Sequence, residues 1–443
     1  MTEQQQARAL AIQALDFSIP TVGEPTLPSP VAAGYQIPDD RRISYFHDLE
    51  TLAFLGGRGP LPAFEAAGPR GRLFHDPAWT RVGIVTCGGL CPGINHVIKA
   101  LVETLYFVYG VENVFGIRYG YRGLAPQFKL EPMGLDPEVV DTIHESGGSI
   151  LGSSRGPQDP GEMLRTLDRL NLSILFTIGG DGTQRGALAL ANAARERRLP
   201  ISIIGVPKTV DNDLDFTDIT FGFQTAVHAA APIIACAHDE AKGAYNGISI
   251  VRLMGRDSGF IAAFACLANP VVNLCLVPES PFTLEGPGGL LNWLERRLEK
   301  KHHVVIVVAE GAGQNLFAEQ PDVKDASGNV LHRDIGTFLR DRIHEHLATK
   351  KVEHAIRYFD PSYQIRAVPA EGTDAVFCGH LAENAVHAAM AGKTGMVVGH
   401  WNGQFTHVPI QLAVQERRKI NLDGQLWRNL LNVTRQEAYL AAT

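Results

Sequence analysis

Ile174-Leu175-Phe176-Thr177-Ile178-Gly179-Gly180-Asp181-Gly182-Thr183 reads as one apolar strand that stops on two glycines and a carboxylate, with a helical pattern at 184–198 directly behind it. A continuous β-branched run of this kind is buried on both faces, as in a parallel sheet covered by helices. The pattern recurs outward in both directions. Apolar runs at 82–86, 114–117, 201–206, 248–251 and 304–308 alternate with helical patterns at 95–109, 222–241, 288–301 and 334–349. The alternation predicts an α/β protein of the doubly wound, Rossmann-like type.

In such folds a ligand lies beyond the carboxyl ends of the strands, so the residues that follow each run carry the functional information. Here they are Cys87-Gly88-Gly89-Leu90-Cys91-Pro92-Gly93, Gly179-Gly180-Asp181-Gly182-Thr183, Pro207-Lys208-Thr209-Val210-Asp211-Asn212-Asp213, Met254-Gly255-Arg256-Asp257-Ser258-Gly259 and Ala309-Glu310-Gly311. Glycine pairs at a strand-to-helix turn let backbone N–H groups approach a phosphate, and the helix start adds partial positive charge. Either pair alone serves equally as a tight turn. Asp181 is a hard oxygen ligand suited to Mg2+, or an N-cap for the helix behind it. Asp211 and Asp213, if extended, point to one side as a base and its partner; an Asx turn is the alternative. Lys208 adds a positive charge, and Arg256, Arg357 and Arg366 stand at or near predicted strand ends, where the guanidinium fork suits phosphate oxygens. These residue types imply binding or transfer of phosphoryl groups with Mg2+.

The chain has 443 residues, 45% hydrophobic and 20% charged, enough for two or three domains with a large core. Lys and Arg total 40 against 47 Asp and Glu, and a net charge of -7 gives no electrostatic case for a nucleic acid or an anionic membrane as partner. The longest apolar stretch, 262–278, is broken by Asn269, Pro270 and Asn273, so no membrane span is expected. The N-terminus lacks the order of a signal peptide, and six scattered Cys read as reduced cytosolic thiols, which predicts a cytoplasmic protein. Residues 1–80 carry Pro20, Pro25, Pro28, Pro30 and Pro38 and read as an extended arm packed on the surface or on a neighbour.

GGLCPG at 88–93, YGYRGL at 119–124, GGSILGSSRGP at 147–157, GGDGT at 179–183, PKTVDND at 207–213, MGRDSG at 254–259, Glu310 and PSYQIR at 361–366 follow in that order. Together they resemble the phosphofructokinases, from about Arg81 through the strand after Met396. The resemblance implies two doubly wound domains with the site between them: 81–219 plus 368–443 for ATP, and 220–367 for fructose 6-phosphate. It implies an ATP:D-fructose-6-phosphate 1-phosphotransferase of glycolysis, an allosteric enzyme that self-associates as a homodimer or homotetramer. Asp211 resembles the base that takes the proton from the 1-hydroxyl, with Lys208 and Arg155 offsetting charge, and Asp181 the Mg2+ ligand. Gly88, Tyr121, Arg155, Gly156, Gly180, Asp181, Gly182 and Thr183 fall on ATP positions. Thr209, Val210, Asp211, Met254, Gly255, Arg256, Glu310, Arg357, Tyr363, Gln364, Ile365 and Arg366 fall on sugar-phosphate positions.

Gly182 and Lys208 bear on the donor. Pyrophosphate-using members have Asp where this chain has Gly182, which implies ATP, whereas Lys208 is typical of pyrophosphate users. The combination is similar to the long ATP-dependent group of plants and trypanosomatids. The alternatives are a pyrophosphate-dependent enzyme and a catalytically silent regulatory subunit. Two departures separate the chain from the short bacterial enzymes: Gly247 replaces an arginine that reaches a neighbour's substrate, and Lys99 and Glu103 stand at effector-phosphate positions, where a carboxylate is unfavourable.

Overall fold

The apolar runs form strands, and the strands form two sheets in a computed structural model that describes residues 1–317 and 330–437. Each belongs to a separate unit. The first unit comprises Met1–Thr209, Leu214–Phe221 and Gly372–Arg417; the second comprises Val210–Asp213, Gly222–Glu371 and Arg418–Thr443.

The first unit is built on a nine-stranded sheet. At its centre Met396–Trp401, Ser202–Pro207, Ile174–Gly179, Arg81–Thr86 and Asn113–Ile117 run parallel in that order. Ser202–Pro207 and Ile174–Gly179 are buried along their whole length, which is why they lack polar alternation. Their pairing continues to Gly179 opposite Pro207, so the glycine junction and the lysine junction leave the sheet side by side. The helices Ile94–Glu103 and Asp181–Glu196 follow two of these strands, close to the expected positions. The sheet is mixed, because Met133–Leu135 closes one edge antiparallel and Gln404–Pro409 pairs antiparallel with Met396–Trp401 on the other side.

Residues 1–80 are not a loose arm. Ala63–Ala66 pairs with Gln404–Pro409, and Arg42–Ser44 pairs with Ala63–Ala66, extending the sheet by two strands. Phe64 is fully buried, and Phe17, Tyr45, Phe216 and Trp401 crowd around it with ring centroids 4.8–6.4 Å apart in the contacts they make. Burying rings of this size drives docking more strongly than the proline spacing opposes it. Glu65 completes the attachment: it pairs with Arg70 (2.9 Å), Lys393 (2.9 Å) and His407 (3.0 Å). Burial pushes the Glu65 carboxyl up, but the hydrogen bond and charge of His407 and the Lys393 ammonium outweigh it and hold the carboxyl below its ordinary range.

The second unit carries four parallel strands in the order Leu274–Leu276, His303–Ala309, Gly247–Leu253, Ala355–Phe359. The helices Phe223–Lys242, Leu290–Lys301 and Ile335–Thr349 match the predicted stretches within two residues. The expected boundary differs at the C-terminus, where 368–443 was assigned to the ATP domain. Gly372–Arg417 joins the first unit, but residues 418–437 pack with the second. The reason is side-chain chemistry in the helix Gln425–Thr434 and beyond: Trp427 and Leu430 are buried, and the Gln436 amide exchanges two hydrogen bonds with the backbone of Cys275. Gly247 is also explained, since a Cβ there would fall 2.1 Å from the Ala241 carbonyl oxygen, leaving no room for an arginine.

His75 ties residues 1–80 to the parallel strands through a 2.9 Å bond between its Nε2 and the Ser202 hydroxyl. Burial lowers its pKa from 6.5 to about 4. The charged form is therefore disfavoured in the fold: this contribution is complete above pH 6.5 and is lost as pH falls toward 4, to a total of about 3 kcal/mol. Denaturant melts at pH 7 and pH 4 should show His75→Gln losing less stability on acidification than the parent by roughly that amount.

Candidate active site

In the first unit the strand Arg81–Thr86 ends at Cys87, and Gly88 turns with φ of 87°, a conformation that favours glycine. Gly88 N–H donates to the Ser154 carbonyl (3.0 Å) and the Ser153 hydroxyl donates to the Gly88 carbonyl (2.7 Å), so the loop carrying Arg155 and Gly156 is stitched to this turn. The buried Lys208 ammonium donates to the Gly89 carbonyl at 2.7 Å and would stand 3.3 Å from a Cβ on Gly88. Gly88 is thus small for two reasons, its positive φ and the lysine beside it. The Lys208 N–H donates to the Gly179 carbonyl at 3.0 Å, which places Gly88, Gly180 and Lys208 in one neighbourhood.

The helix Asp181–Glu196 begins without a side-chain cap: Gly180 is the N-cap residue and Asp181 is the first helical residue. The capping alternative for Asp181 is therefore not what the chain adopts. Its carboxylate instead accepts from Arg417, with Nε at 3.0 Å and the terminal nitrogen at 2.8 Å from Oδ2. A Cβ built on Gly182 meets nothing within 4 Å. The helix start therefore offers backbone N–H groups, its partial positive charge and open space, which suits an anion.

Two donor-side residues lie beneath this surface. Tyr121 is buried, donates to the Thr183 carbonyl at 2.7 Å and packs under Gly186, and burial raises its pKa well above 10. The Thr183 side chain is buried against Gly179. Both support the turn and are not exposed to a ligand as the resemblance implied. Sequence reasoning passed over Gln184. It is fully buried, its amide nitrogen reaching the carbonyls of Gly179 (2.9 Å), Thr177 (3.2 Å) and Val206 (3.4 Å), and its oxygen lies where Gly205 leaves no Cβ. The only sequence signal is that a polar residue occupies a position on the inner face of the helix.

In the second unit the strand Gly247–Leu253 leads into Met254, Gly255 (φ 136°) and Arg256 (φ 37°). A left-handed arginine costs about 1–3 kcal/mol and is held by its neighbours. Arg256 N–H donates to the Glu310 carboxylate at 3.1 Å, and Gly311 allows the Arg256 carbonyl a close approach. Glu310 is in turn 3.6 Å from Arg252, which stands at the same distance from Asp334 and Asp360. Asp211 belongs to this unit, its carbonyl accepting from the Ser258 hydroxyl at 3.5 Å. The 210–213 segment is a turn rather than an extended run, because Asn212 adopts φ of 55°. Alternation does not hold across it: Asp213 is buried while Asp211 is half-buried. Arg418 fixes the turn, its N–H donating to the Asp213 carbonyl (2.8 Å) and its guanidinium to the Asn212 carbonyl (3.0 Å).

The remaining expected contacts divide. Tyr363 and Gln364 are exposed, and Arg366 lies over the Tyr363 ring at 4.7 Å. Val210 and Ile365 are buried, so their side chains pack into the unit and only their backbone could meet a ligand. Arg357 is not with the others in its unit. Its partner in register is Ser249, four pairs before Leu253 reaches Ala309, or about 13 Å along the strand. Its guanidinium is 3.5 Å from Glu240 instead. Thr209 closes the first unit's segment, its carbonyl accepting from the Thr220 hydroxyl at 2.7 Å. A cavity of about 730 Å³ in the first unit, bounded by residues such as Asp16, Arg195, Arg198 and Gln415, contains none of the expected site residues.

Residues 81–389 match the family model described as phosphofructokinase. The chain is 45% identical over 435 residues to a Borreliella burgdorferi protein named ATP-dependent 6-phosphofructokinase, covering 95% of this chain and 97% of that one. It is 48% identical to the protein of the same name from Trypanosoma brucei brucei over 84% of this chain and 76% of the relative. The crystal structure of a pyrophosphate-dependent phosphofructokinase from Marinobacter aquaeolei superposes with a TM-score of 0.66 at 22% identity, covering 80% of this chain and 91% of that one, a likeness of fold.

The Gln184 amide is the clearest structural support under the glycine junction. Gln184→Leu should lower unfolding free energy by about 1–3 kcal/mol, since buried carbonyls then lose one of their donors and the space is refilled by an apolar group. Urea titration of the two proteins measures it.

Proposed function

Because this chain belongs to the phosphofructokinase family, we infer that it transfers the terminal phosphoryl group of ATP to O1 of D-fructose 6-phosphate, as an ATP-dependent 6-phosphofructokinase. The observation that carries the donor is Gly182: the space beside Asp181 contains no atom within 4 Å of a Cβ built there, so it accepts a bulky phosphate chain. Lys208 is the feature that favours pyrophosphate, and its ammonium is held on the Gly89 carbonyl.

On the donor side, the N–H groups at the start of Asp181–Glu196 and the turn at Gly88 bind phosphate oxygens, with Lys208 and Arg155 supplying positive charge. Asp181 fits a divalent cation: it is a hard oxygen donor, partly exposed, and it already accepts a cation in Arg417. Asp181 would hold Mg2+, which when bound neutralises charge on the donor phosphates. On the acceptor side, Met254, Gly255, Arg256 and Glu310 form one cluster that receives the sugar phosphate, with Tyr363 and Arg366 beside it in sequence position 361–366. Asp211 takes the proton from the 1-hydroxyl as it attacks, and the turn held by Arg418 keeps it from adopting other directions.

A cytoplasmic location is supported by six cysteines that are all free, Cys87 among them with its thiol pushed up to about 12 by burial. Among the described residues no helix is long and apolar enough to cross a membrane. Self-association as a homodimer or homotetramer follows the family. The effector site of the short bacterial enzymes is not carried over, because Lys99 is paired with Glu103 at 2.8 Å.

Assay with ATP and with pyrophosphate at saturating fructose 6-phosphate tests the donor: turnover with pyrophosphate alone would overturn the ATP reading, and none with either would point to the silent subunit. Asp211→Asn should lower kcat at least about a hundredfold while leaving the circular dichroism spectrum intact. Gly182→Asp should fold normally and lose ATP use by at least about tenfold more than any pyrophosphate use, since a carboxylate then faces phosphate.

A further inference from the structure

Arg417 has no role in the reading above, yet it holds the carboxylate on which that reading depends. Its two contacts with Asp181 both fall on Oδ2, at 3.0 and 2.8 Å, and Arg185 stands 3.9 Å from the same oxygen. Among the described residues no ion pair engages Oδ1. The arginine is not a mobile surface side chain. Its backbone forms an antiparallel bridge with Leu214, the next residue along donates to the Asp213 carbonyl, and its side chain is 26% exposed against 19% for Asp181. The backbone at this position is thus ordered without the ion pair, which has only the side-chain entropy to offset.

A plain structural ion pair at this place would cap or brace the helix. Asp181 does not cap it, since Gly180 is the N-cap residue and Asp181 is the first residue of the helix, and its link along the helix, to Arg185, is the longer one at 3.9 Å. The pair lies on the open side of the junction, next to the residue with no neighbour within 4 Å of its Cβ. A guanidinium and a divalent cation on one carboxylate repel each other across a few ångströms, so the two compete.

We propose that Arg417 is a resident counter-cation of Asp181, a positioning residue that keeps the carboxylate aimed and that must give way when a divalent cation arrives. The proposal rests on Asp181 being the metal-binding carboxylate. Its consequence is weak binding of a bare cation: only a cation that brings further ligands, as one carried on a nucleoside triphosphate does, displaces the arginine. The chain would thereby discriminate against metal without donor.

The test is binding of Mn2+ alone to the full chain, followed by electron paramagnetic resonance without nucleotide. Arg417→Met and Arg417→Gln should tighten Mn2+ by at least about tenfold, or bring it into measurable range, while Arg417→Lys, which keeps the charge, should stay within about threefold of the parent. Asp181→Asn should abolish the gain when combined with Arg417→Met. If Mn2+ binds equally with and without the Asp181 carboxylate, Asp181 is not the metal ligand and the underlying reading fails. If Asp181→Asn weakens binding but the neutral Arg417 variants leave it unchanged or weaker, the ligand stands and the counter-cation proposal falls. Failure of both neutral variants to fold while Arg417→Lys folds would also overturn it, by making the pair structural.

Discussion

Three carbonyl groups at the ends of two adjacent parallel strands share one buried amide, that of Gln184, and the donor side of the site depends on that arrangement. Where Ile174–Gly179 and Ser202–Pro207 stop, their backbones turn away while the Gly179 carbonyl still accepts from the Lys208 N–H. Gln184 supplies a donor at that point from within the following helix, and Lys208 does the same for the Gly89 carbonyl. With the backbone anchored this way, Gly180, Asp181 and Gly182 stand at a fixed helix start without a cap of their own. Preorganisation of this sort lets a phosphate chain be bound by groups that pay no ordering cost on arrival.

The acceptor side uses a different device, strain held by charge. Arg256 keeps a left-handed backbone because its N–H meets the Glu310 carboxylate and Gly311 permits close packing against its carbonyl. Burial disfavours the Arg252 cation, but Asp360, Asp334 and Glu310 together raise its pKa above the ordinary value. Glu310 is therefore fixed from two directions, by an N–H and by a guanidinium. A carboxylate so placed is held without swinging.

Residues 1–80 show how far local composition misleads. Their prolines imply an extended arm packed on the surface or on a neighbour, but Phe17, Tyr45 and Phe64 bring a hydrophobic payload large enough to complete the sheet edge. The buried Glu65 cluster then makes that docking specific, since breaking such a pair leaves charges without compensation at a cost of about 3–5 kcal/mol. The same logic explains the C-terminal segment, where Trp427 and the Gln436 amide commit 418–437 to the second unit although 372–417 belongs to the first.

The amino-acid order alone determined the parallel strands, the helices behind them and the glycine–acid junctions, because period and turn chemistry act within a few residues of chain. It also singled out Gly88, Asp181 and Lys208 in the first unit and the Met254–Arg256 turn in the second. What only the tertiary structure decided were the partners distant in sequence: Arg417 on Asp181 across 236 positions, Arg418 on the Asn212 carbonyl across 206, and Tyr121 under Thr183 across 62. The level of Arg357 opposite Ser249 belongs here too, since strand register sets a side chain's height relative to its neighbours. Local pattern fixes which way a segment folds, whereas a contact between segments depends on loop closure and packing that no short window of residues encodes.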